Sequence, residues 1–336
     1  MSRQKRVLVL GGTGAMGTYL VPELLRMGCS VHVVSLDDRV SDNPQLVFTK
    51  ADASDPGELE LLLRDGWDAI VDFLIYETPR FRERYRLFLE HTDQYVYLSS
   101  YRVYANEEHP IRETSPRLLD ATTDDALRAS EDYSIYKARG ENMLSESGYG
   151  NWTAIRPAIT YSQRKMQLVT LEAPVHVYRA AHGKTVILPK DAMQVEGTMT
   201  WGGDVARMIA GLVFNKKALG ERFTVSTAEH HPWEEVASYY ERILGMKYIT
   251  VSTDDYISVI ADEAWAVPAR RQLVYDRLYD RIIDNSKILE FTGMKQSELM
   301  PLYEGLRREL TALPKDYVWP YSAANERMDA YLAKRG

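Results

Sequence analysis

Six short apolar runs, separated by mixed polar and apolar segments at helical spacing, set the rhythm of the first 160 residues. VLVL (7–10), VHVV (31–34), LVFTKAD (46–52), AIVDFLI (69–75), YVYLSS (95–100) and TAIRPA (153–158) read as strands. The segments between them read as helices: Thr18 to Met27, with Pro22 a local kink and Gly28 a stop; Asp55-Pro56 to Leu63; Pro79 to His91; and Glu131 to Ser147. Nearly continuous apolar strands alternating with helices predict a parallel sheet buried on both faces. Further on, DVARMIAGLVF reads as a helix and ERFTVST as another strand, so residues 202–228 are expected to return to that sheet. There is no internal repeat and no low-complexity segment.

The first strand runs straight into Gly11, Gly14 and Gly17 at three-residue spacing, and a helix follows. Strand, tight glycine turn and helix form the arrangement that cradles a dinucleotide pyrophosphate, with the helix N–H groups turned toward the phosphates. Alone, the turn also fits an ordinary strand–helix connection. The fold expected is a Rossmann-type doubly wound α/β parallel sheet with a smaller C-terminal substrate lobe. Residues 1–160 and 202–228 would form the dinucleotide-binding domain. Residues 161–201 and 229–312 would form the lobe, and 313–336 a tail.

Composition narrows the function. The 336 residues are 45% hydrophobic and 26% charged, with a net charge of −7. That balance fits a globular protein and argues against a general nucleic-acid or membrane-surface binder. No apolar run is long enough to span a bilayer, and MSRQKR leads into a strand without a secretory apolar region. The single cysteine, Cys29, excludes an internal disulfide and a cysteine-cluster metal site, and a cytoplasmic location is expected.

Tyr133-Ser-Ile-Tyr-Lys137 supplies candidate chemistry. Tyr and Lys four apart share one helix face, and an ammonium beside a phenol favours the phenolate. Such a tyrosine exchanges a proton with a hydroxyl or carbonyl. The spacing is common on solvated helices, but here it follows Ser99-Ser100 at the end of the fifth strand, where open parallel sheets hold their ligands.

Taken together, GGTGAMG (11–17), Asp52, SSYRVY (99–104), Tyr133 to Lys137, Arg156-Pro157, GDVA (203–206), NSKILEFTG (285–293) and YEGL (303–306) resemble the extended short-chain dehydrogenase/reductase family, also called the NAD-dependent epimerase/dehydratase family. The likeness covers about residues 5–312. WDAIVDFLIY also resembles the branch near chloroplast stem-loop-binding proteins. The resemblance implies that Gly11, Gly14 and Gly17, with Ala15 and Met16 of the same turn, hold the pyrophosphate. It implies that Asp52 and Ala53 sit near the adenine and that Tyr133 is the general acid/base. Lys137 would bind the nicotinamide ribose and tune Tyr133, Ser100 would hydrogen-bond the reacting oxygen with Ser99 beside it, and Pro157 would shape the nicotinamide pocket. A homodimer is an analogy with the family.

Three departures from the family pattern matter. NAD-preferring members carry an acid at the end of the second strand, where this chain has Ser35; with Arg39 nearby the balance leans slightly to NADP over NAD, although Asp37 and Asp38 push the other way. Sugar 4,6-dehydratases place an Asp-Glu pair after the catalytic Ser/Thr, where this chain has Tyr101-Arg102, which disfavours that elimination. The family's diphosphate-binding Arg falls near Glu196 or Gly197, leaving Arg164, Lys165, Arg270, Arg271, Arg277 and Arg281 as candidates to compensate. His230-His231 lacks further metal ligands at recognisable spacing, Glu141 fits a helix salt link, and the aromatic tail (Tyr317, Trp319, Tyr321, Tyr331) fits packing or a subunit contact. The leading expectation is an NAD(P)-dependent epimerase acting on a nucleotide-activated sugar through a transient keto intermediate. A net NADP-dependent carbonyl or sugar reductase is the alternative, and an RNA-binding or regulatory module the third.

Overall fold

A computed structural model describes residues 3–163, 165–314 and 316–335. The sheet-forming strands are β1 (Arg6–Leu10), β2 (Ser30–Ser35), β3 (Leu46–Lys50), β4 (Ala69–Asp72), β5 (Tyr95–Leu98), β6 (Trp152–Pro157) and β7 (Glu221–Val225). They form one seven-stranded parallel sheet in the order β7-β6-β5-β4-β1-β2-β3. The helices that frame it and the site are α1 (Gly17–Arg26), α2 (Pro56–Leu63), α3 (Thr78–Glu90), α4 (Tyr133–Ser145), α5 (Gly202–Leu212), α6 (Trp233–Leu244), α7 (Ala266–Gln272) and α8 (Ala323–Ala333).

Strand periodicity explains why both faces are covered. Val7, Val9, Val31, Val33 and Val71 pack on one face with Leu20, Leu24, Val205 and Ile209 of α1 and α5. Leu8, Leu10, Ile70, Tyr95 and Tyr97 pack on the other with Leu59, Leu63, Phe81 and Phe88 of α2 and α3. Each such aliphatic side chain contributes about 1.5–3 kcal/mol by leaving water. The strand order reverses between β1 and β4, which opens a crevice at their C-terminal ends.

Local chemistry sets the ends of the elements, and some fall short of the sequence expectation. The fourth strand stops at Asp72 rather than residue 75, because the Asp72 carboxylate accepts the Leu74 N–H and turns the chain. The fifth stops at Leu98, and the Ser100 hydroxyl accepts the Arg102 N–H to start a short 3-10 turn, Tyr101–Val103. The helix expected over 131–147 begins at Tyr133, capped by Asp132, whose side chain accepts from Ser134 N. Asp55 caps α2 as expected. α1 runs through Pro22 and ends before Gly28, whose φ is +80°.

Thr185–Pro189 pairs with Lys247–Val251, and Ile159–Tyr161 with Met199–Trp201, beneath a second apolar core that includes Trp233, Val236 and Tyr240 of α6. The tail packs on this core through Ala324 and Met328 of α8. The fully buried Arg179 donates to Asn325 O and to Asp329 Oδ1 at 2.8 Å. Among the described residues, no helix is long and apolar enough to cross a membrane.

Candidate active site

The glycine turn has the geometry of an anion cradle. Gly11 sits at φ +70°, and a Cβ on Gly17 would overlap the Gly12 backbone, so only glycine lets α1 start this close to β1. The N-terminus of α1 has no side-chain cap and no acid in its first turn. Among the described residues, the backbone N–H groups of Ala15 and Met16 make no hydrogen bond. These open N–H groups and the positive helix end suit a pyrophosphate. A cavity of about 370 Å³ beside the turn is lined by Thr13, Gly14, Ala15, Thr18, Arg39 and Lys165. The residues present therefore fit a dinucleotide. Ser35 ends β2 and its hydroxyl accepts the Asp37 N–H. Asp52 is exposed, held below the usual carboxylate range by its hydrogen bonds from Ser54, and Ala53 beside it is buried. Pro157 closes β6 opposite Val225.

The candidate reacting side chains converge at the C-terminal end of β5. Ser100 stands beside Tyr133, where its hydroxyl favours the phenolate, and Tyr133 is half-buried at the wall of a cavity of about 660 Å³. Sheet-side residues Glu77, Arg102, Glu131 and Asp132 share that wall, and Thr170, Leu171, Val175, Ile260, Trp265 and Ala269 close it from the lobe. Lys137, one helical turn after Tyr133, is fully buried, with Nζ donating to Leu98 O at 2.6 Å.

The electrostatics depart from the expectation that Lys137 tunes Tyr133. Burial pushes the Tyr133 phenol up, and the cation opposing this is Arg102, whose guanidinium carbon lies 5.0 Å from the ring centroid. The Lys137 ammonium lies 5.7 Å from that ring and is itself weakened. Burial lowers its pKa to about 8, although Asp72 and Glu141 pull the other way. Asp72, buried at the end of β4 and bonded by Tyr95 Oη, is raised by burial to about 6.

Several sequence expectations change here. Ser99 is fully buried and donates to Glu141 Oε1 at 2.5 Å, so its hydroxyl serves the interior rather than a ligand. Glu141 is more than a helix salt link. It is buried and joined by Arg156 at 2.6 Å, Arg117 at 3.4 Å and Arg222 at 3.5 Å. Arg277 and Arg281, candidates for a substrate phosphate, are buried around Asp276, and Arg270 pairs with the exposed Asp254. Arg271 does line the cavity and Lys165 the cofactor-side one, while Arg164 lies outside the described residues. The Glu196 carboxylate accepts from His230 Nδ1 at 2.9 Å, and His231 lies 2.8 Å from Glu229. Among the described residues no group of His, Cys, Asp and Glu could hold a metal. Sequence reasoning read Arg102 only as a missing acid and passed over Asp72. Their signal was position, each closing a strand or turn at the crevice.

A glycine cradle, a Tyr-x-x-x-Lys pair and a strand-end serine stand at one crevice. Residues 7–85 match the model of the NAD dependent epimerase/dehydratase family, which bears out the resemblance read from the sequence. No curated protein matches the chain. Among solved structures, the Bordetella bronchiseptica enzyme WbmH in complex with NAD+ is 17% identical, with 92% of this chain and 98% of that one covered at a TM-score of 0.68. The Thermus thermophilus UDP-glucose 4-epimerase complex with NAD is 19% identical, covering 91% and 98% at 0.62. The terminal R domain of the myxalamid PKS-NRPS biosynthetic pathway is 16% identical, covering 93% and 91% at 0.66. These likenesses establish the fold.

Proposed function

We propose that the protein is an NAD(P)-dependent enzyme of the extended short-chain type that epimerises a sugar through a transient keto form. The observation that carries this reading is the meeting of Tyr133 and Arg102 at the wall of the large cavity, with Ser100 and Lys137 buried beside them. A bound nicotinamide would take hydride from the substrate carbon and return it to the opposite face. Tyr133 takes the proton from the substrate hydroxyl and later returns it, while the Ser100 hydroxyl steadies the same oxygen. The keto form needs room to turn over, which about 660 Å³ provides. Gly11, Gly14, Ala15, Met16 and Gly17 hold the pyrophosphate in this reading, Asp52 and Ala53 border the adenine, and Pro157 borders the nicotinamide.

The comparisons lend no support to the lean toward NADP, since NAD is the cofactor named in the WbmH and Thermus complexes. Arg39 at the glycine turn is the feature that still favours a 2′-phosphate. Nucleotide activation of the sugar rests on those neighbours, and a reductase of a free carbonyl compound is the second reading. It is favoured by the cavity wall, where Arg102 and Arg271 are the only lysines or arginines among the described residues. Mass spectrometry of the nucleotide released from purified protein, with turnover in Tyr133→Phe, tests the proposal. Tightly retained NAD(H) and at least a hundredfold loss of turnover are expected. Full activity in Tyr133→Phe would overturn the mechanism, and stoichiometric NADPH consumption would replace epimerase by reductase.

A further inference from the structure

The side chain of Arg102 is only 14% exposed, yet no side-chain N–H of it makes a hydrogen bond among the described residues; its backbone N–H donates to Ser100. Its Nε is buried without a partner. The nearest carboxylates are too far or too poorly aligned to serve: Asp276 Oδ2 at 3.4 Å from Nε and Asp132 Oδ1 at 3.9 Å from the terminal nitrogen. Asp276 is already engaged by Arg277 and Arg281, and Asp132 caps α4. A guanidinium offers five donors in a rigid fork; here Nε is the one buried without a partner, and the terminal N–H groups are left open for a ligand. This one lies over the Tyr133 ring and opens onto the cavity.

We propose that Arg102 is a specificity residue that receives a carboxylate of the substrate, which makes the substrate an acidic sugar. The inference rests on the reading of Tyr133 as the proton-transferring group. With the reacting oxygen at Tyr133 and the fork 5.0 Å from that ring, the anionic group sits within a few bonds of the reacting carbon. A planar monoanion matches the fork in a bidentate manner. A phosphate dianion fits less well, because Asp132, Glu131 and Glu77 share the wall and repel the second charge. Glu131 is paired with Arg139 at 2.7 Å, which leaves Arg102 as the cation nearest the chemistry.

The test is calorimetry on the NAD-loaded protein at pH 7 with D-glucuronate against D-glucose and D-galacturonate against D-galactose. These pairs differ by a carboxylate in place of a hydroxymethyl group. At least tenfold tighter binding of each acid is expected, falling to parity in Arg102→Gln with NAD affinity retained. Arg102→Lys should recover only part of the preference, because an ammonium keeps the charge without the fork. Equal or absent binding of acid and neutral sugar to the unaltered protein overturns the proposal, as does a preference that survives Arg102→Gln. Tyr133→Phe separates the two claims: it should keep the acid preference and lose nicotinamide reduction, so activity there would sink the mechanism while leaving the binding result standing.

Discussion

Replacing Glu141 with alanine removes a buried carboxylate that Arg156, Arg117 and Arg222 share. Two N–H groups of Arg156 reach it at 2.8 and 2.6 Å, and the Ser99 hydroxyl adds a third bond at 2.5 Å. Arg156 is itself about as buried as Glu141, so among the described residues the variant leaves its guanidinium inside the fold with the Glu113 carbonyl and the face of Tyr104 to meet it. Breaking such a pair from one side costs about 3–5 kcal/mol. At about 2.1 cal/mol/K of unfolding entropy per residue, a loss near 4 kcal/mol lowers Tm by about 6 °C for a chain of this length. The acid dependence has a definite sign. Burial alone would raise the Glu141 pKa, but Arg156, Ser99 and Arg117 outweigh it and hold the group below its ordinary value of 4.5. A carboxylate depressed on folding stabilises above its unfolded pKa and loses that contribution as pH falls through the folded value. The unaltered protein should therefore shed this increment below about pH 4.5, and Glu141→Gln should lack that part of the acid slope. Differential scanning calorimetry and urea titration between pH 3 and 7 measure both effects. A loss below about 1 kcal/mol in Glu141→Ala, or an unchanged acid slope in Glu141→Gln, would refute the argument.

Two further outcomes follow from the same geometry. Gly17→Ala places a methyl against the Gly12 backbone; it should destabilise by about 1–3 kcal/mol and weaken NAD binding at least tenfold by calorimetry, and normal affinity would contradict the cradle. Lys137→Met removes a buried ammonium whose pKa has fallen to about 8; since a lysine depressed on folding destabilises below its unfolded pKa, the cofactor-free variant should gain about 1–3 kcal/mol at pH 7 while losing activity, and a less stable variant would contradict the desolvation argument.

The sheet was legible because its signals are local. Val7 to Leu10 read as buried on both faces, Asp55-Pro56 as a helix start and Gly28 as a stop, and each follows from residues within a few positions. The proximity of Tyr133 to Ser100 was legible because both sit at the ends of elements whose order fixes their edge of the sheet. What depended on distant partners was not. Glu141 meets arginines at positions 117, 156 and 222, and Arg277 and Arg281 turn inward because Asp276 is buried between them. A charged residue reads the same in sequence whether its partner is water or a buried ion, so the arginines available to a substrate could be sorted only in three dimensions.

That sorting bears on what Arg102 does beside Tyr133. Two cations approach Tyr133, the Lys137 ammonium and the Arg102 guanidinium. An amine near pKa 8 is only mostly protonated at neutral pH, so Lys137 is a weak and pH-dependent support for a phenolate. A guanidinium keeps its charge throughout the working range, and its planar face lies along an aromatic ring without losing its donors. Arg102 therefore supplies the constant part of the field at Tyr133, and Ser100 supplies the directional part through its hydroxyl. A carboxyl group at that position would reverse the sign, raise the phenol further and leave Asp132 and Asp276 facing a third acid. The segment after β5 thus sets a guanidinium against the Tyr133 ring and backs it with a buried arginine–aspartate cluster, so an acid in its place would require rebuilding that whole cluster.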